Sequence, residues 1–460
     1  MKLVDRGWKV HLLALHFMAH VFLKEGFSLG IIMPVLAEGL EEFYGSQSPQ
    51  SDYLASGIMY SFYIPAALGS LISPYFMQGY DERQKVGLAR KANLTYAVCS
   101  AAFASCWIPE VTNLIGVVSA SILMVVARAT CALCTVLSFV QLNSHLSNCL
   151  LTSSPTSYYF LLSQYSSALA LGYASGAVAG PALTSAMGGR LDIALFCNVA
   201  LSLTPCVLVE FMPSIDVCCI TSESESDEVH HGSNLCAPCR SFSFRKRMYL
   251  VALILILCFA MLGTYDYSFS RLLQIHFHVS DILVGVLLAA GTMLYAIVSF
   301  CVEHMGLHDF CTVEDGSRGT RKLTVVVVTH CLALLPSILA PEMQSSVSFA
   351  VAALLAFFII SAVGAGMLDV WMTFCSNANL GKGDADVAEI AAAMFSFMVN
   401  IGIAAGQAFA GATFEVLGIS GQAATYCLLL MILHVCFCMI RFARDEQHGL
   451  LMSTSVSYGT

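Results

Sequence analysis

The sequence predicts an all-α membrane protein with twelve transmembrane helices in two six-helix halves. Three observations predict it. The chain of 460 residues is 57% hydrophobic and only 11% charged, with a mean hydropathy of +0.76. That balance suits a membrane bundle and no soluble globular domain. Its apolar residues gather in stretches of about 20, the length that crosses a bilayer. Features of the first half also recur half a chain later.

The predicted spans are 10–36, 54–77, 94–109, 112–141, 158–186, 192–212, 247–272, 281–304, 323–340, 345–375, 388–416 and 421–442. The third and ninth are the shortest. Basic residues orient them. Lys2, Arg6 and Lys9 precede span one; Arg83, Lys85, Arg90 and Lys91 follow span two. Arg240, Arg245, Lys246 and Arg247 close the central loop, and Arg318, Arg321 and Lys322 follow span eight. Lys382, Arg441 and Arg444 fall on the same side, whereas Arg190 and the acidic Glu38, Glu41 and Glu42 fall on the other. The positive-inside rule then places both termini and the central loop in the cytoplasm. The expected organisation is an N-terminal half over 1–212, a cytoplasmic linker over 213–246, a C-terminal half over 247–445 and a cytoplasmic tail over 446–460. The first apolar run is too long for a cleavable signal peptide and leads into a polar turn, so none is expected.

The halves read as parallel repeats. Gly172 and Gly176 in LGYASGAVAG are matched by Gly402 and Gly406 in IGIAAGQAFAG, 230 residues later. Arg90-Lys91 recurs as Arg321-Lys322, at 231. Glycines four apart line one helix face and admit close helix approach, and the first ladder runs on through Gly180 and Pro181.

Three carboxylates stand inside apolar spans: Glu25, Asp266 and Asp369, the last in SAVGAGMLDVWMTF. A carboxylate there costs roughly 2.5–3.5 kcal/mol on the mildest scale. It is kept to bind a cation, to carry a proton, or to hold helices in register through a buried ion pair. Desolvation disfavours the charged form and an arriving cation favours it, so proton and cation compete for one site. Tyr265, Tyr267 and Trp371 flank the acids, where rings suit an ammonium by cation–π attraction or simply pack. Arg128 in span four reads as a pairing and gating arginine or a structural lock. Lys24 adjoins Glu25, but neighbouring helical residues point about 100° apart. Lys24 is therefore expected to meet a neighbouring helix and supply a base to the charge network. His16 and His20 share its helix face; a metal pair there needs further ligands.

Nineteen cysteines, most of them single in apolar runs, act as small hydrophobes. In the linker, His230, His231 and the CAPC of Cys236–Cys239 suggest zinc, Cys218-Cys219 palmitoylation, and Ser222, Ser224 and Ser226 phosphorylation. A solvated linker accounts for the same composition. No phosphate loop, nucleophile elbow or metalloprotease helix is present, so neither an enzyme nor a cofactor is expected, nor a nucleic-acid partner.

The twelve-span pattern resembles the major facilitator superfamily over essentially the whole chain. GYDERQKVGLARK keeps Asp81, Arg83, Gly87, Arg90 and Lys91 of that family's loop after span two, in stretched form. Arg128 fits its span-four arginine, although Ala132 replaces the usual glycine. The ladder Gly172, Gly176, Gly180, Pro181 resembles its antiporter signature, with tight packing as the other reading. Three segments resemble the vesicular amine transporter family more closely. Glu25 lies nine residues before Pro34, Asp266 stands in MLGTYDYSFSRLL, and Gly366-Met367-Leu368-Asp369 matches G-M-[VL]-D. Departures are Pro65 in place of a lysine, Ser396 in place of an acid and Gln407 in place of proline.

The resemblance implies a proton/organic cation antiporter working by alternating access in an acidic organelle or vesicle membrane. Its expected partners are a small-molecule amine, protons and lipid, and it is expected to act as a monomer. Glu25 would face the ammonium, Asp266 would serve substrate or proton, and Asp369 would be the main proton site. A facilitator or symporter of a neutral or anionic solute and a non-transporting transceptor are the alternatives.

Overall fold

The structure, a computed structural model, describes residues 2–32, 40, 49–77, 80, 82–150, 161, 164–210, 246–304, 318–339, 346–378 and 384–456. The linker motifs, Pro34 and Asp81 lie outside them. Among the described residues the regular elements are all helices. The first span is α1 (Lys2–His20), which widens into a π-helical segment, Val21–Phe27, and ends in Ser28–Gly30. Then come α2 (Pro49–Met77), α3 (Glu82–Ser105), a short helix Pro109–Ile115, α4 (Val117–Leu150) and α5 (Tyr165–Ala186). α6 is Leu191–Ser202 with Thr204–Glu210; α7 is Lys246–Arg271 with a π turn, Leu272–His276. α8 (Asp281–His304) and α9 (Arg318–Leu339) precede α10, which is broken into Val347–Ala362 and Met367–Ala378. The helix Asp384–Val456 divides at Gly418, whose φ of 58° requires glycine, into α11 (384–417) and α12 (419–456).

Among the described residues nine helices are long and apolar enough to cross a membrane, or ten if α3 and the short helix bent 88° from it form one span. α2 and α5 stand where spans two and five were expected. Their glycine, serine, proline and tyrosine content lowers their hydropathy. Lipid-facing apolar residues mark the outside: Val118, Ile122, Leu428 and Met439 are 59–71% exposed.

Several boundaries differ from the sequence reading for one reason: hydropathy truncates a helix at its charged end. Span three begins at Glu82 rather than 94, so Arg83, Lys85, Arg90 and Lys91 start a helix instead of filling a loop. Span nine begins at Arg318 rather than 323, which brings Lys322 into the helix. Span four differs in the other direction, beginning at Val117 rather than 112 because Gly116, at a φ of 82°, separates it from the short helix; α12 runs past 442 to Val456. Exposed Arg90 reaches Glu210 at 2.6 Å, tying α3 to α6.

The glycine ladders fix the helix pairs. A Cβ on Gly172 would stand 2.9 Å from Phe27 N, and one on Gly176 2.7 Å from Ile31 N, so α5 lies backbone to backbone on α1. A Cβ on Gly402 would stand 2.7 Å from Phe259 Cβ, and one on Gly406 2.8 Å from Ala260 Cα, so α11 lies on α7 in the same way. The repeated glycines thus make equivalent contacts in the two halves.

Candidate functional site: a two-carboxylate cavity between the halves

A cavity of about 150 Å³ opens between α1, α2 and α5 on one side and α7, α8, α10 and α11 on the other. Glu25 and Asp266 both line it, one from each half. The rest of the wall is aromatic and aliphatic: Tyr63, Tyr165, Tyr173, Phe259, Tyr295 and Phe358 provide the rings. No Lys, Arg or His is among the lining residues described.

Each acid is held by a tyrosine of α5. Tyr165 Oη donates to Glu25 Oε2 at 2.5 Å, and Tyr173 Oη donates to Asp266 Oδ1 at 2.9 Å. The two tyrosines are eight residues apart, roughly 12 Å along the helix at 1.5 Å per residue. The second bond crosses between halves. Glu25 sits in the π segment of α1, a type of local widening that often marks functional positions.

Asp369 stands elsewhere. It pairs with Lys322 of α9, both buried, and its Oδ1 accepts a longer bond from Thr373 Oγ1 at 3.4 Å. It occupies the first turn of Met367–Ala378, where the positive end of the helix favours an anion. Met367, two residues earlier, lines the cavity. The pair is therefore behind the wall rather than in it.

Lys24 is fully buried, donates to Asn93 Oδ1 of α3 and lies 4.6 Å from the Tyr96 ring centroid. It faces α3 and not Glu25, in the direction that helix geometry dictates. Arg128 donates to Ser28 Oγ at 3.1 Å and lies over Phe62 at 4.6 Å; among the described residues no carboxylate pairs with it. Tyr265 stacks on Phe357 at 3.9 Å, Tyr267 accepts from Arg271 Nη1 at 3.2 Å, and Trp371 Nε1 donates to Ala391 O at 2.8 Å. None of these three lines the cavity. Residues beside an acid in sequence are turned away from it by a helix, so adjacency was the wrong guide to the rings. The rings that do face the acids come mostly from other helices, with Phe259 on Asp266's own α7 as the exception. Lys322 was legible only as loop charge and as half of the repeated Arg-Lys pair, and Tyr165 and Tyr173 were missed; the one signal for Tyr173 was its place inside the glycine ladder, between Gly172 and Gly176. Arg83 is exposed at the start of α3.

The fold is that of solved transporters. Over 94% of this chain and 99% of theirs, it superposes on the human organic anion transporter MFSD10 (TETRAN), at 14% identity and TM-score 0.65, and on an outward-facing bacterial homologue of the iron transporter ferroportin, at 12% and 0.60. It also superposes on the proton:xylose symporter XylE bound to 6-bromo-6-deoxy-D-glucose, at 10% identity and TM-score 0.68, over 95% and 96% of the two chains. No protein-family model and no curated protein matches the sequence. The chain is an integral, multi-pass membrane protein with the major facilitator fold.

Proposed function

We propose that this protein is a proton-coupled antiporter of organic cations, amines or polyamines, working by alternating access in an acidic organelle or vesicle membrane. One observation carries the reading: two carboxylates from opposite halves line one aromatic cavity that has no basic residue among its described lining. Such a site attracts ammonium by charge and by ring quadrupole and repels anions. Protonation removes the charge that holds the cation, so loading a proton and loading an amine exclude each other, which is the chemistry of antiport. MFSD10 is named for organic anions; the charge of this cavity supports the opposite sign here.

In this reading Glu25 and Asp266 bind substrate, and Asp266 also exchanges protons. Asp369 acts through Lys322: protonating it releases the bond between α9 and the half-helix of α10 that carries Met367. Lys24 and Arg128 position α1 against α3 and α4, and Tyr265, Tyr267 and Trp371 back the wall.

The test is uptake of labelled amines and polyamines into liposomes with an acid interior. Wild type should accumulate amine only with the gradient, and Glu25→Gln and Asp266→Asn should abolish accumulation. Uptake of a neutral solute with no amine taken up would replace this reading with facilitated diffusion.

A further inference from the structure

On the N-terminal side of Glu25, α1 carries a second buried polar stripe. His16 and His20 are 3% and 0% exposed. His16 Nδ1 and both ring nitrogens of His20 make no hydrogen bond of good geometry, although the Thr135 backbone of α4 makes a weak contact with His20. His20 Nε2 lies 3.9 Å from Glu25 Oε1. Residues four apart on a helix stand about 5–6 Å apart at Cβ, so the two rings share one side of α1.

The surroundings do not explain the pair as packing. α1 packs on α4, α5 and the Thr204–Glu210 segment of α6. Of the titratable groups on these elements, His145 of α4 faces the histidines, Cys131 and Cys134 of α4 and Cys206 of α6 face Lys24, and Tyr165 of α5 holds Glu25; Lys24 itself acts on both rings. Gln141 Nε2, one turn from His145 on α4, is also buried without a partner. A buried polar atom without a partner costs free energy, and sites of this kind are where ordered water resides. A metal would need a third ligand, and among the described residues no three His, Cys, Asp or Glu converge to hold one.

We propose that His16 and His20 form a proton relay between Glu25 and the end of the bundle where the chain begins. The inference rests on the proton-coupled reading of the cavity. In one passage the Glu25 carboxyl gives its proton to a bridging water, which passes a proton to His20 Nε2 across the 3.9 Å gap, leaving a carboxylate and an imidazolium. His20 then releases the proton on Nδ1 through water to His16, which hands a proton on to water, and a ring flip resets the tautomer. Protons thereby leave the cavity along α1 without crossing the substrate. Lys24 opposes a lasting second positive charge, so the imidazolium is a passing state.

Two measurements on the full chain test it. Deuterium exchange at histidine C2, read by mass spectrometry on detergent-solubilised protein without substrate, reports whether water reaches each ring. His16 and His20 should take up label in an incubation long enough to saturate exposed His11; no uptake at either ring means a sealed, dry pair and overturns the relay. In acid-inside liposomes, His20→Gln and His16→Gln should each lower gradient-driven amine uptake by about tenfold or more. Exchange of labelled for unlabelled amine, which needs no net proton movement, should fall far less. Gradient-driven uptake at the wild-type level in both variants would also overturn the relay. Loss of both activities marks a misfolded variant and leaves the decision to C2 exchange. A wild type that moves no amine refutes the cation reading instead, and C2 exchange still judges the relay.

Discussion

The Lys322–Asp369 pair invites a double-mutant cycle whose magnitudes follow from burial. Both residues are almost wholly enclosed, at 5% and 7% exposure. An exposed pair would be worth about 0–1 kcal/mol. Removing one member of a buried pair strands the other charge and costs about 3–5 kcal/mol. Asp369→Asn keeps the volume and one acceptor, so its cost belongs near the lower figure. Lys322→Met keeps most of the stem and leaves the carboxylate only Thr373 Oγ1 and the helix N-terminus, the latter worth about 0.3–1 kcal/mol. The double variant strands nothing and should unfold within about 1 kcal/mol of wild type. The coupling, the two single costs less that of the double variant, should therefore reach at least about 4 kcal/mol, above the roughly 0.5–3 kcal/mol usual for residues in contact. The assay is reversible unfolding of the four proteins in mixed micelles, followed by far-ultraviolet circular dichroism. Single variants within about 0.5 kcal/mol of wild type, as for a surface change, or costs that add in the double variant, would refute the assignment of a buried pair.

Other predictions use the same assay. Gly406→Ala places a methyl against the Ala260 backbone and should cost about 1–3 kcal/mol. Gly87→Ala on α3 meets nothing within 4 Å and should stabilise by about 0.5–1 kcal/mol through helix propensity; a loss there would mean α3 is not a regular helix at that point. Lys24→Met removes a buried ammonium that has no carboxylate partner among the described residues. It should leave stability unchanged or raise it, by up to about 4 kcal/mol. Gradient-driven amine uptake should survive that change, because Lys24 faces Asn93 rather than Glu25.

The fold was legible because its determinants are local and repetitive: apolar length, basic loops and glycine spacing. The ladders marked the faces of α5 and α11 on which another backbone could arrive, but not which helix would supply it. The site was legible in its acids and not in their partners. Glu25, Asp266 and Asp369 stand out because a carboxylate in an apolar run is costly, but what each meets is a matter of tertiary direction. Glu25 and Asp266 came together in one cavity, whereas Asp369 found Lys322, a residue that hydropathy had assigned to a loop. Aromatics were sought beside the acids in sequence and arrived instead from α2, α5, α7, α8 and α10.

The two tyrosine–carboxylate bonds are chemically alike but mechanically different. Tyr165 and Glu25 belong to α5 and α1, already joined backbone to backbone by the glycine ladder, so their bond adds no link between halves. Tyr173 reaches Asp266 on α7 and does link them, as does Ser70 Oγ to Ser396 Oγ at 3.0 Å between α2 and α11. A cation that draws Asp266 away from Tyr173 weakens a tie across the cavity; a cation at Glu25 does not. Substrate at Asp266 should therefore shift the balance of conformations, and substrate at Glu25 should add affinity without shifting it. Hydrogen bonds to charged groups are worth about 1.5–3 kcal/mol, a factor of roughly 10–150 in a two-state balance. Tyr173→Phe should thus broaden or shift spin-label distances measured between the halves, and Tyr165→Phe should leave them as in wild type. Equal effects from the two variants would show that neither bond distinguishes the conformations, and the asymmetry between the two acids would fall.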